Sequence, residues 1–442
     1  MIMQDALPGI KRFFAPLGLS EHVQGYMIRL VTAFILHFGR MTASQAAGSV
    51  RSQARHRASV IRFLAKLNWS ADWSVLERLA QIVLEAETRV GGTWILIVDS
   101  TFCGHQGEKT ENTFSRANYR PRPKKSQRRQ KKHAKRSCHG FVFGLLLTPS
   151  GLRIPSFRSY YTAKYCEAKK KTYRTQTELA AELVRVVATP ENADLVVLGD
   201  TAFDADSIRA ACAERGFKWI VPINPERVLA GPRGKRPKLW SLAEKKTAEQ
   251  FAPVRLIPGQ GPYVAQRRIA ACRLGRKVKA RTFYVHKERR HVHSVGEVQL
   301  VFSTKEKPTT GKPVVVQKIL MSNDRQRSAA ALVELYDLRW QIELFFKELK
   351  STLGMHQYRF RDFRKVESWV ALCLVTFLYL EWYRSQQLRK RRLTVQDKKW
   401  WHWQRTYGLC MAVRQEAQEI QHSRRIEVAI GFVDVPRIVL MQ

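Results

Sequence analysis

The sequence predicts an α/β protein: a mixed sheet with flanking helices, interrupted by an inserted all-β domain and preceded by an N-terminal helical domain. Three observations lead there. Two short apolar runs, Trp94–Val98 and Leu195–Leu198, read as buried strands, and each is followed closely by an aspartate, Asp99 and Asp200. From Gly92 onward the elements follow the order β-β-β-α-β-α-β. Residues 1–88 carry only helical texture, and 224–322 break into short alternating strands.

Taken in order, Tyr26–Phe38 is an apolar helix. Thr42–Gly48 is a short capped helix with a glycine turn. Arg55–Leu67 (RHRASVIRFLAKL) has a basic start and apolar Val60, Ile61 and Leu64. Short helix, turn and basic helix resemble a helix-turn-helix, which makes 1–88 a candidate DNA-binding domain; a generic helical bundle is the alternative. The first part of the sheet domain, 89–223, opens with Trp94–Val98. His139–Thr148 and Leu152–Tyr160 form a hairpin around Pro149-Ser150-Gly151. Tyr173–Ala188 is a helix, Leu195–Leu198 a strand, Asp204–Arg215 a helix and Lys218–Ile223 a strand. The interval 224–322 is the inserted β domain, with strands at Arg267–Arg273, Arg281–His286, Glu297–Ser303 and Val314–Met321. Residues 323–385 return to the sheet layer as two long helices, Asp324–Lys350 and Ser368–Arg384. Residues 386–442 form a basic C-terminal region with Trp400, Trp401 and Trp403, for which dimerisation is a candidate role.

Of 442 residues, 77 are Lys or Arg and 37 are Asp or Glu, a formal net charge of +40. An excess of this size calls for a polyanionic partner, with nucleic acid first, over a merely basic solvated surface. The longest uncharged apolar stretch, Ser368–Leu380, is too short to span a bilayer, and no secretory signal is visible. Seven scattered cysteines without a CxxC pair argue against a disulfide framework and a structural zinc site, and suit a reducing cytosol.

The charge is concentrated. Residues 116–136 hold 11 Lys or Arg, and no Asp or Glu occurs between Asn112 and Cys166. With Pro121 and Pro123 the segment reads as a flexible loop. Arg120, Arg122, Lys124, Lys125, Arg128, Arg129, Lys131 and Lys132 are its candidate phosphate contacts. A solvated charge run is the alternative, and the missing acid favours phosphate. The segment follows the Asp99 strand, so it is expected to overhang the acids.

The third acid is Glu343. At about 100° per residue, Tyr336, Arg339 and Lys350 fall within roughly 40° of it on one helix face. Leu335, Leu338, Ile342, Phe345, Phe346 and Leu349 form a separate apolar stripe, while Glu334 and Glu348 point elsewhere. An exposed Arg339–Glu343 pair on an ordinary amphipathic helix would contribute only a few tenths of a kcal/mol. Two strand-end aspartates and a helical glutamate, however, can hold a pair of divalent metals against a phosphodiester.

The spacing Tyr336-x2-Arg339-x3-Glu343-x6-Lys350 resembles the Tyr–Arg–Glu–Lys signature of DDE transposases of the insertion-sequence family four type. Asp99, Asp200 and Glu343 match that family's three catalytic acids, and the resemblance covers about residues 92–385. It implies a ribonuclease-H-like fold, with the β insertion between the second and third acids. It also implies two Mg²⁺ ions, replaceable by Mn²⁺, on Asp99, Asp200 and Glu343, with Tyr336, Arg339 and Lys350 on DNA phosphates. The expected partners are double-stranded DNA, as transposon inverted-repeat ends and as target, and a second copy of the chain in a synaptic homodimer. The expected setting is a bacterial cytoplasm, at the nucleoid. Related enzymes stack a flipped base on an aromatic of the insertion; Trp240 is the candidate ahead of Trp219.

The expected reaction is nicking at element ends, attack of the freed 3′-OH on the opposite strand to form a hairpin, and transfer to target DNA. The rival readings are a metal-dependent DNA nuclease or junction resolvase of the same fold, and a domesticated DNA-binding protein without catalysis.

Overall fold

The computed structural model describes residues 9–37, 41–49, 57–67, 74–89, 91–105, 110–116, 136–230, 236–257, 261–263, 265–266 and 280–390, with 410 and 414. Its centre is one ten-stranded sheet. The strands are β1 (Trp94–His105), β2 (Phe114–Arg116), β3 (Arg136–Leu147), β4 (Arg153–Tyr160), β5 (Leu195–Leu198), β6 (Lys218–Pro222), β7 (Ala252–Leu256), β8 (Arg281–Val292), β9 (Gly296–Thr304) and β10 (Lys318–Ser322). They run in the order β2-β3-β1-β5-β6-β10-β9-β8-β7, with β4 also paired to β3. The pairs β1–β5 and β5–β6 are parallel, and the rest are antiparallel.

The expected hairpin is β3–β4. Its turn needs Gly151, which sits at φ +87°, and a Cβ there would lie 2.2 Å from the Ala265 carbonyl oxygen. β5 and, past Lys218, β6 are apolar and buried, as parallel strands covered on both faces should be.

The helices are α1 (Glu21–Leu36), α2 (Ala43–Ser49), α3 (Arg57–Lys66), α4 (Ser74–Leu84), α5 (Ala163–Lys169), α6 (Gln176–Val186), α7 (Asp206–Glu214), α8 (Leu239–Ala243), α9 (Ala329–Asp337), α10 (Trp340–Lys347) and α11 (Phe363–Lys390). A capping box, Thr175 with Glu178, starts α6, which packs on β1, β3 and β4. α11 is the pillar of the opposite side. It packs on β4 and on α1, α3 and α4. Trp369 lies 4.9 Å from Phe34, ring centre to ring centre, and Ser368 donates to the Leu64 carbonyl at 2.9 Å. The N-terminal helices therefore share one hydrophobic core with the sheet. No described helix is long and apolar enough to cross a membrane.

Two expectations change. The strands of 224–322 have no sheet of their own among the described residues. β10 pairs with β6, and β9, β8 and β7 continue outward from it. The physical reason is the edge of β6, whose backbone groups need a partner once β5 has taken the other side. The interval also holds the short helix α8, so it is not all-β. The expected strand Arg267–Arg273 and most of 386–442 lie outside the described residues.

The long helix Asp324–Lys350 is divided. Asp324 caps a turn by accepting from the Gln326 and Arg327 amides, and Ser328 caps α9. Leu338, Arg339, Gln341 and Ile342 then bond three residues back, which tightens the backbone between α9 and α10. After α10 comes a π turn, Glu348–Thr352, where the Leu353 amide reaches the Glu348 carbonyl.

Candidate active site

The register of the sheet brings the two aspartates side by side. Ile97 pairs with Leu198 across the parallel β1–β5 ladder. Asp99 and Asp200 each stand two residues further along; Asp200 lies just past the end of β5, whereas β1, read as ending at Val98, continues to His105 because β3 pairs with it throughout, so Asp99 sits within the strand. Between Leu198 and Asp200, a Cβ on Gly199 would meet the Phe203 Cβ at 2.9 Å, so only glycine lets the chain turn there without a shift. Asp200 ends the strand by capping a 3-10 turn, its Oδ1 accepting from the Ala202 amide at 2.8 Å.

Strand alternation decides which way Asp99 faces. Asp99 is opposite Phe143 in β3, so the two side chains share a face of the sheet. Phe143 packs edge-on against Phe345 and Phe346 of α10, with ring centres 5.8 and 5.5 Å away. Asp99 therefore faces the helix that carries Glu343.

Arg339 joins them. Its Nη1 lies 3.4 Å from Asp99 Oδ2, and its Nη2 donates to Glu343 Oε1. Asp99 also accepts from the Ser100 amide at 2.7 Å. Burial, and then the neighbouring charge of Asp200, push the Asp99 carboxyl up to about 6; the Ser100 amide and Arg339 oppose this, and Glu343 adds to it. Three acids, one with its carboxyl raised chiefly by burial and further by its like-charged neighbours, form a site that gains from a cation.

The chain belongs to the transposase DDE domain family. Residues 91–379 match that family's model, from just before β1 into α11. A comparison with curated proteins gives no match.

Tyr336 and Lys350, the other residues of the Tyr–Arg–Glu–Lys spacing, come near the acids by different routes. Tyr336, at the end of α9, is 8% exposed. Burial pushes its phenol up to about 12, with Arg339 opposing and Asp200 and Asp99 adding to the shift. Lys350, on the π turn, donates to the Phe102 carbonyl at 3.2 Å, three residues past Asp99 on β1. Glu348 points elsewhere, as expected, but into the core. Arg153 Nη1 lies 2.9 Å from it, and Arg153 also holds Glu381 at 2.8 Å.

The donor set suits a hard cation, since Asp99, Asp200 and Glu343 offer only carboxylate oxygens. Among the described residues no three acids, histidines or cysteines stand close enough to hold one ion as placed. Arg339 occupies the gap between Asp99 and Glu343.

The basic segment is anchored at the far end of β1, six residues past Asp99. Arg116 pairs with Arg136 across β2–β3, and Ser137 pairs with His105 at the end of β1. Its candidate contacts Arg120, Arg122, Lys124, Lys125, Arg128, Arg129, Lys131 and Lys132 lie outside the described residues. Of the two tryptophans, Trp219 is buried at 5% in β6, and Trp240 is 42% exposed on α8.

One site residue was missed. Lys318, the first residue of β10, places its ammonium 5.0 Å from the centre of the Tyr336 ring. A lone lysine at a strand start carries no periodic or motif signal. Only the pairing of β10 with β6 brings it to the acids.

Proposed function

We propose that the chain is an insertion-sequence transposase of the family four type, with a ribonuclease-H-like catalytic layer. It cuts the element's ends and joins them to target DNA. The carrying observation is the convergence of Asp99 and Glu343 on Arg339, beside an Asp200 in matching register on the next strand.

Asp99, Asp200 and Glu343 would hold two divalent ions, Mg²⁺ or Mn²⁺. Bound there, such ions lower the pKa of an attacking water or 3′-OH and stabilise charge on the leaving oxygen. The chain's own residues do the rest. Lys350, Lys318 and Tyr336 hold the phosphates next to the cut strand, as charge-assisted donors and a buried phenol. Arg339 keeps the two acids in register. Gripping the distorted backbone offsets the few kcal/mol of unstacking that a hairpin step requires. The basic segment 116–136 and residues 1–88 supply sequence-independent and groove contacts to duplex DNA, and a homodimer brings two ends together.

The test is cleavage and joining of end-labelled duplex carrying the DNA that flanks the gene, with Mg²⁺. Alanine at Asp99, Asp200 or Glu343 should abolish nicking and leave duplex binding intact. A supplied 3′-OH end should be joined to target by the wild type. Near wild-type nicking by Glu343→Ala would move the third acid elsewhere, and nicking without joining would reduce the protein to a nuclease.

A further inference from the structure

Beyond the signature helix, the chain runs Tyr358-Arg359-Phe360-Arg361-Asp362-Phe363-Arg364. Tyr358, Phe360 and Phe363 are buried, and Arg359, Arg361 and Arg364 are exposed. Aromatic and arginine thus alternate, one side in and the other out. The backbone of this strap is pinned. The Glu111 amide donates to the Arg361 carbonyl at 2.9 Å, and the Glu111 carboxylate accepts from the Phe363 amide at 3.1 Å. The same carboxylate pairs with Lys169 of α5 at 3.0 Å.

The aromatic side is locked as well. Tyr358 shares a 2.7 Å hydrogen bond with His139. Phe363 packs against Tyr161 and Tyr165, at 5.9 and 5.6 Å between ring centres. This joins the strap to α5, whose margin adds exposed Lys164 and Lys170. No ion-pair or hydrogen-bond partner holds the guanidinium groups of Arg359, Arg361 or Arg364 among the described residues. Asp362, between them in sequence, pairs with Lys365 at 3.4 Å instead. Cations held on a rigid frame without a paired carboxylate suit a fixed array of anions, because little ordering entropy is lost on contact.

The position says which anions. His139 pairs with Cys103 on β1, four residues beyond Asp99, or about 13 Å along the strand. Duplex DNA rises about 3.4 Å per base pair, so a duplex running along β1 would meet the end of the strap anchored on His139 about four base pairs from a phosphate held at the acids. We propose that Arg359, Arg361 and Arg364 form a second, preorganised contact surface for the sugar-phosphate backbone, flanking the cut site on the β4 side. This rests on the reading of the acids as a DNA-cleaving centre.

The experiment uses the full-length protein and a 30-base-pair duplex of arbitrary sequence, since phosphate contacts are independent of sequence. Binding is measured against salt for the wild type, a triple Arg→Ala variant at 359, 361 and 364, and the matching triple Arg→Lys variant. The alanine variant should lose about 0.9 from the log–log slope for each contact removed, up to about 2.7 in all. The lysine variant should keep most of the slope. Both should unfold at the wild-type temperature, because the three side chains are exposed. Phosphate-ethylation interference on flanking-end DNA should lose a patch about four base pairs from the nick.

An unchanged slope in the alanine variant overturns the surface. So does a loss of interference spread over the whole duplex, which would mark a general charge effect. A slope that falls equally on single-stranded RNA and leaves the duplex pattern intact would assign the strap to RNA and also overturn it. Wild-type nicking with Mg²⁺, run in parallel, reports separately on the catalytic reading.

Discussion

Arg339 donates to Asp99, Nη1 to Oδ2 at 3.4 Å, while its other terminal nitrogen holds Glu343. A side chain that the family resemblance places on DNA phosphate is bonded to two of the acids. Arg339→Ala should therefore fail already at the first nick, by more than about tenfold, because the near-attack geometry of the acids is lost. Arg339→Lys, which cannot bridge both carboxylates with a planar fork, should recover only part. Single-turnover nicking at saturating DNA checks this. Nicking at the wild-type rate in the alanine variant, with joining lost, would restore the phosphate role.

Asp99 should lower the stability of the metal-free protein. Its carboxyl is raised from 3.8 to about 6 in the folded state. A raised carboxyl contributes stability that is complete below its unfolded value and is lost as pH rises through the folded one. The wild type should therefore lose stability between about pH 4 and pH 6, relative to Asp99→Asn. The gap corresponds to about 3 kcal/mol as a ceiling. Urea unfolding at pH 4 and pH 8, in the presence of a chelator, should give equal stabilities at the lower pH and a more stable Asn variant at the higher. The reverse order would mean that Arg339 compensates Asp99 fully.

Glu348 is off the signature face, where a neutral substitution would be expected, yet Glu348→Ala should destabilise by about 3 kcal/mol. It leaves the buried Arg153 short of one of its two carboxylates. Arg384 also leans on Glu381, at 2.9 Å, so the remaining carboxylate is shared. Thermal unfolding reads the loss. A shift no larger than that of an exposed control such as Glu244→Ala would show the network to be slack.

Gly199→Ala should cut nicking at least about tenfold while the protein stays folded. The new methyl meets the Phe203 Cβ at 2.9 Å, and Phe203 closes the 3-10 turn that Asp200 caps. Circular dichroism and the nicking gel together separate displacement of Asp200 from unfolding. Full activity would mean that the turn shifts without moving the carboxylate.

Much of this protein was legible in order along the chain. Leu195–Leu198 is apolar at every position, which only a strand buried on both faces tolerates, so β5 could be placed to the residue. The hairpin around Pro149–Gly151 and the helix α6 follow from equally local rules, turn chemistry and a capping box. Asp99 and Asp200 could be singled out as candidates because each closely follows such an apolar run, although β1 itself continues past Asp99 to His105.

Local sequence alone indicated β5, the β3–β4 hairpin and the candidate acids, since propensity and hydrophobic period act over a few residues, but not β2, β7 or the second half of β1. Tertiary structure alone decided what lies next to what. A uniform 100° wheel places Lys350 and Arg339 on one face with Glu343, but tightening before α10 and the π turn after it change the phase of the wheel. Arg339 thereby reaches back to Asp99, and Lys350 reaches Phe102. Likewise no local signal says that β10 will satisfy the open edge of β6, and that long-range pairing delivers Lys318 to Tyr336 and draws the expected insertion into the main sheet. Edge pairing and buried ion pairs are settled between residues distant in sequence, where backbone groups and charges must find partners once water is excluded.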